Sequence, residues 1–228
     1  MRKSALLIVF LAAVFGLGAC QEIRETPAEG TIRLLDWSTI TVENFSRLPQ
    51  LKDFVKFLPD AHAVLILPDV VKAGFFFGDE GGSGVLIARQ TGGGWGYPAF
   101  YTLAAGSFGF QFGLQDTETI LIIRNAGALG SIIRNQGKFG ADLGITVGFY
   151  GAGLEASTTT NLGADILAFT NAKVGAFAGV SLEGAALIRR RDLNEAFYGA
   201  GATPEAIIFD GRFKNPKADR LRSALARF

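Results

Sequence analysis

From Ala63 to Ala105 the chain is built of apolar runs of five to seven residues punctuated by glycine: AVLIL at 63–67, GFFFG at 74–78, GVLIAR at 84–89 and AFYTLAA at 99–105. Runs this short, bounded by turn-forming residues, are strands and not helices. In SFGFQFG at 107–113, Phe108, Phe110 and Phe112 alternate with Gly109 and Gln111, so one face takes aromatics while the other has no bulk. Further strands are expected at 119–124 (TILIIR) and near 143–150, 165–170 and 176–187. The 30 glycines and 20 phenylalanines beside seven prolines suit many short strands with bulges and close backbone approaches. The expectation is a mainly β fold: a single curved or closed, barrel-like antiparallel domain with a few peripheral short helices.

The flanking segments read differently. Arg2 and Lys3 precede an apolar run from Ala5 to Gly16, and Leu17-Gly18-Ala19-Cys20 follows. That run is too short to span a membrane as a mature helix, and its ending resembles a bacterial lipobox. The reading is a lipoprotein signal peptide at 1–19 with acylation at Cys20, where several chains on one residue give stable anchoring. Gln21 in place of Asp suits transfer to the outer membrane, with the protein on its periplasmic face. Removal of Arg2 and Lys3 takes the 22 basic residues to 20 against 21 acidic, so no global field attracts nucleic acid. Cys20 is the only cysteine, which excludes an internal disulfide.

Residues 20–42 mix charge with Pro27 and Gly30 and are expected to form a tether, with Trp37 marking the domain edge. The domain is expected over 43–210. Its first part, Phe45, Leu48, Leu51, Val55 and Leu58, recurs at helical spacing around Pro49. Asn125 is expected to cap a helix carrying Ala126, Leu129, Ile132 and Ile133. Leu193, Ala196 and Phe197 predict a short helix turning at Gly199. In the tail, 211–228, Leu221, Leu225 and Phe228 share one side of a basic amphipathic helix.

No constellation points to catalysis. Gly78-Asp79-Glu80-Gly81-Gly82-Ser83-Gly84 lies between two strands, whereas a phosphate loop opens a helix, so it reads as a turn. Ala105-Gly106-Ser107-Phe108-Gly109 approaches a nucleophile elbow but leads into a strand, and His62, the only histidine, reads as a surface or capping residue. A cryptic hydrolase using Ser107 would have only His62 to draw on as its histidine base, and a multi-histidine metal site has as little to build from. Asp79 with Glu80, and Asp116 with Glu118, fall in turn-like sequence and are expected to face water.

An ordered series of segments resembles the SYLF domain, also called the Ysc84 domain. It runs Ala63-Val64-Leu65-Ile66-Leu67-Pro68, Lys72-Ala73-Gly74-Phe75, Gly78, Gly82, Gly84-Val85-Leu86, Trp95, Tyr97-Pro98-Ala99-Phe100-Tyr101, Gly106-Ser107, Gly109, Gln111 and Gly113. It continues through Asp116, Asn125, Ala128-Leu129, Gly140-Ala141-Asp142 and Gly179-Val180-Ser181-Leu182-Glu183-Gly184 to Asn194, Phe197-Tyr198-Gly199 and Pro204. Val147-Gly148-Phe149-Tyr150-Gly151 departs from the family's Gly-Pro-centred stretch, and Phe169-Thr170 from its Tyr-Ser pair.

The resemblance implies a binding domain without enzymatic activity or cofactor, and anionic phospholipid as its ligand. Phosphoinositides play that part in eukaryotic members, some of which also bind actin. No phosphoinositide-binding residue carries over. The residues expected to meet the membrane are Arg189, Arg190, Arg191, Lys214, Lys217, Arg220, Arg222 and Arg227, with Trp95 and Tyr97 in a glycine-rich loop. The competing expectation is that these charges are a solvated face and that the aromatics cap the barrel end. The alternative function is a structural or partner-binding envelope lipoprotein, acting on an envelope protein with no lipid beyond its own anchor at Cys20.

Overall fold

A computed structural model describes residues 25–74, 77–108, 113–134, 146–151, 163–174 and 185–228. The signal segment, Cys20, Gly109 to Phe112 and the glycine-rich pieces near 140 and 180 lie outside them. Seven strands form one sheet among the described residues: β1 (Ala63–Gly74), β2 (Phe77–Ala88), β3 (Ala99–Phe108), β4 (Gly113–Ile123), β5 (Val147–Gly151), β6 (Ile166–Val174) and β7 (Ala186–Arg189). Their spatial order is β5-β6-β4-β1-β2-β3-β7, curled into a half-barrel. The mainly β, curved expectation holds. One pair departs from it, since β5 runs parallel to β6, Val147 facing Ile166, while the other pairs are antiparallel.

The continuous apolar runs are explained by a sheet covered on both sides. In β1, Ala63, Leu65 and Leu67 enter one core together with Leu129, Ile132 and Ile133 of α3 (Ala126–Arg134). Val64 and Ile66 enter the other, under four helices. These are α1 (Pro27–Arg47), α2 (Lys52–Phe57), α4 (Arg191–Tyr198) and α5 (Asp219–Leu225). Asn125 caps α3 as expected, accepting from the Ala128 N–H at 2.8 Å, and also donates to Asp165 at 2.7 Å. Asp165 accepts from the N–H and hydroxyl of Thr146, and these bonds hold its carboxyl below the usual range. Gly199 ends α4 at φ 101°, a conformation that favours glycine.

The expected tether is, from Pro27 onward, a 21-residue helix. Thr26 and Glu29 form a reciprocal capping box, with Pro27 in the first turn. The buried stripe of α1 hides from an apolar-period reading because Thr31, Ser38, Thr39 and Thr41 alternate with Leu34, Leu35, Val42 and Phe45. Two of these hydroxyls bond back to their own helix, Thr31 donating to Ala28 O and Thr39 to Leu35 O, and Thr41 finds its partner outside it.

The segment from Gly78 to Gly84, expected as a turn, lies within β2, paired along its length with β3 and from Gly78 to Gly81 with β1. The cause lies in β1, where Ile66 pairs with Val85 but Val71 pairs with Gly81, so β1 carries one extra residue around Pro68-Asp69. The same extra residue appears against β4, between Leu67–Thr119 and Val70–Thr117. This bulge drives the β1 backbone toward β2. A Cβ at Gly82 would lie 2.3 Å from Asp69 O, and one at Gly84 2.3 Å from Ile66 O. Glycine is required at both positions by contact with backbone that cannot yield. Gly84→Ala is expected to destabilise the fold by about 1–3 kcal/mol or more, measured by denaturant unfolding, whereas Gly92→Ala, whose Cβ meets nothing within 4 Å, is expected to be near neutral.

Candidate functional site

Opposite the bulge stands Glu118. The strand through Thr117-Glu118-Thr119-Ile120 places Glu118 in phase with Ile120 and Ile122, on the face covered by α1. It is 5% exposed. Its Oε1 accepts from the Thr41 hydroxyl at 3.0 Å and the Asn44 amide at 3.1 Å, both on α1, and its Oε2 accepts from Asn171 of β6 at 2.9 Å. The expectation that Asp116 and Glu118 face water is therefore corrected, since both lie in β4 and not in a turn. The missed signal is the pair of β-branched threonines, Thr117 and Thr119, that flank Glu118 and extend the apolar strand backwards.

Beside Glu118 a cavity of about 650 Å³ opens between α1, the β1 bulge, β4 and β6. Asp69, Asp116, Glu118 and Lys173 supply its charges, and Trp37 and Ile40 of α1 form its rim. Lys173 donates to Pro68 O at 2.6 Å and stands 3.5 Å from both Asp69 and Asp116. The buried Asp116 Oδ1 has no hydrogen bond of its own. Burial, and then the neighbouring Asp69, push the Asp116 carboxyl above the usual range against the pull of Lys173. Trp37 is 39% and Ile40 45% exposed, with the Arg33 guanidinium 4.5 Å from the Trp37 ring centroid.

The sequence-predicted contact residues are dispersed, and most are engaged internally. Arg189 binds Glu205 at 2.7 Å and the Ile133 carbonyl, Arg190 pairs with Asp192, and Arg191 pairs with Glu195. In the tail, Arg220 lies 3.4 Å from Asp36 and Arg227 3.9 Å from Glu43, both on α1. Arg222 donates to Trp95 O, pairs with Asp219 and stacks 4.2 Å from the Tyr97 ring. Leu221 and Leu225 of α5 are buried in the helix-side core. Lys214 and Lys217 are exposed, with no ion pair among the described residues. Trp95 is 2% exposed under the Arg89 guanidinium, so it closes the fold's end. His62 is exposed at the entry to β1, and Ser107 pairs with Gly78 inside β3.

Residues far apart in sequence meet at the start of β3. Asn194 accepts from Phe100 N–H at 3.0 Å and donates to Phe100 O at 3.1 Å, as another strand would. The Tyr198 hydroxyl donates to Pro98 O at 2.7 Å, and Phe197 meets Phe100 edge to face. Burial pushes the Tyr198 hydroxyl far above its ordinary pKa, so it stays a donor.

This architecture defines a curled-sheet domain, buttressed by helices on both faces and tied across long sequence distances by single polar side chains. A family model described as Ysc84, Las17-binding protein actin regulator, matches residues 104–228. The chain is 34% identical over 157 residues to LAS seventeen-binding protein 3 of Saccharomyces cerevisiae, covering 68% of this chain and 34% of that protein. It is 31% identical to SH3 domain-containing YSC84-like protein 1 of Xenopus laevis, covering 72% and 49%, and 30% identical to its Homo sapiens counterpart, covering 72% and 48%. The chain belongs to the Ysc84, or SYLF, family, and it spans about a third to a half of the length of these relatives.

Glu118→Ala strands the donors of Thr41, Asn44 and Asn171. It is expected to cost about 1–3 kcal/mol in denaturant unfolding, whereas Asp60→Ala, at an exposed position, is expected to cost less than about 0.5 kcal/mol.

Proposed function

We propose that this Ysc84-family domain binds membrane phospholipid while acyl chains on Cys20 hold it at the periplasmic face of the outer membrane. The observation that carries the reading is the outward face of α1. Trp37 and Ile40 stand exposed there beside Val71 of β1, itself 37% exposed, and an indole next to aliphatic side chains suits a membrane interface. Six residues separate Cys20 from Pro27, a reach of at most about 25 Å when extended, so the anchor keeps α1 close to the bilayer.

The charge balance sets the expected headgroup dependence. The tail arginines are held by acidic partners and carbonyls of the domain, leaving Lys214 and Lys217 to attract an anionic surface by about 1 kcal/mol each. Binding therefore rests chiefly on apolar contact, with a modest anionic preference that salt weakens. The second reading, a partner-binding envelope lipoprotein, is favoured by the relatives' names, which describe Las17-binding and actin regulation.

Co-sedimentation of the unacylated fragment from Gln21 with neutral and anionic vesicles, across a salt series, separates the two. Joint Trp37→Ser and Ile40→Ser substitution is expected to weaken binding by about tenfold or more, about 1.4 kcal/mol, with the melting temperature unchanged. Joint Lys214→Ser and Lys217→Ser substitution is expected to remove only the salt-sensitive part. Absence of binding to both vesicle types would leave Cys20 as the membrane hold and assign the function to a protein partner.

A further inference from the structure

Large apolar side chains stand exposed among the described residues at Ile32, Trp37 and Ile40 of α1, Val71 of β1, Ile188 of β7, and Phe209. The register sorts them by side. Val85 and Phe100 are paired and belong to the helix-side core, and stepping by twos along β2 and β3 puts Gly81, Ser83, Thr102 and Ala104 on that side too. Val71 pairs with Gly81, Ala186 with Ala104 and Ile188 with Thr102, so Val71 and Ile188 both face the side that carries α1. Phe209 stands on the opposite side, in a cavity shared with Leu129 of α3. Between Val71 and β7 the sheet is low. Three strand spacings, about 14 Å, separate them, and the row that joins them holds Gly81, Ala104 and Ala186, where no side chain exceeds a methyl. Single apolar side chains on a surface are ordinary, but these border one open face.

The chain enters the domain on this same face. Glu25 and Pro27 line one cavity with Trp37, Val71, Ser83 and Arg190, so the entry point lies between α1 and the β7 side of the sheet. Cys20 is five residues before Glu25, at most about 18 Å of extended chain, which keeps an anchor there close to this face. An arginine flanks the apolar groups at each end. Arg33 stacks on Trp37, and Arg190 donates to Thr102, the register partner of Ile188. Glu25 and Asp192 balance the two guanidinium charges, so the face suits the headgroup level through apolar contact and does not require an anionic lipid. We propose that the bilayer contact extends from α1 across this open stretch of the sheet to Ile188 at the β7 edge. The proposal rests on the membrane-facing reading of α1 and adds an orientation which that reading does not contain: the β7 edge meets the bilayer, while α3 and Phe209 point away from it.

The test is nitroxide accessibility in the full mature protein, acylated and reconstituted in vesicles of phosphatidylethanolamine and phosphatidylglycerol. Acylation consumes the thiol of Cys20, the only cysteine, so a label on an introduced cysteine is unique. Labels on Ile40→Cys and Ile188→Cys are expected to collide with membrane-dissolved oxygen, relative to a water-soluble nickel chelate, several-fold more often than a label on Phe209→Cys. The comparison is strict because Phe209, at 46%, is at least as exposed in the free protein as Ile188, at 44%. Ala186→Cys, on the same face, takes the place of Ile188→Cys should that variant fail to melt cooperatively. A β7 label as open to the aqueous chelate as the label on Phe209→Cys overturns the proposal. With the label on Ile40→Cys still shielded, that result removes the extension alone, whereas a water-exposed label on Ile40→Cys removes the reading of α1 with it.

Discussion

A buried carboxylate with no cation bonded to it organises the middle of this protein. Glu118 would be costly under α1 if it were alone, because an ionised group loses its hydration on burial. Donors from Thr41 and Asn44 on α1 and from Asn171 on β6 replace that hydration, so one side chain joins helix, central strand and neighbouring strand. The β1 bulge lies opposite, and Gly82 and Gly84 make room for it by offering no Cβ to the carbonyls of Asp69 and Ile66. The placement of α1, the position of Trp37 and Ile40, and the acidic cavity beneath them all follow from this node.

The remaining ties have the same character. Asn194 takes the place of a strand partner for Phe100, Tyr198 reaches Pro98, and Arg222 locks the tail onto Trp95 and Tyr97. Several segments that carry the family resemblance, among them Trp95, Tyr97 to Tyr101, Asn194 and Phe197 to Gly199, thus meet in space as structural ties. The tail's positive charge belongs largely to this scaffold: Arg220, Arg222 and Arg227 answer Asp36, Asp219 and Glu43.

What was readable beforehand follows from burial on two faces. Runs such as AVLIL announced strands because both sides of the sheet are covered, and Asn125 and Gly199 announced helix ends through their own chemistry. Helix α1 was hidden because hydroxyl residues fill half of its buried stripe, although Thr26 and Glu29 spelled its cap. Gly78 to Gly84 looked like a turn because close packing against a bulge and a tight turn both call for glycine, and only the register of β1 tells them apart. Glu118 was misassigned for the related reason that an acid between threonines looks solvated until the partners, 74 and 77 residues earlier in the chain, are in place.

Glu118 is expected to couple α1 energetically to the bulged sheet. A double-mutant cycle of Asn44→Ala with Glu118→Ala, read by denaturant unfolding, measures that coupling. A coupling of about 1–3 kcal/mol is expected, as for a hydrogen bond to a charged acceptor in a shielded site. Additivity within about 0.3 kcal/mol would contradict it, and would mean that α1 is held by its apolar contacts alone.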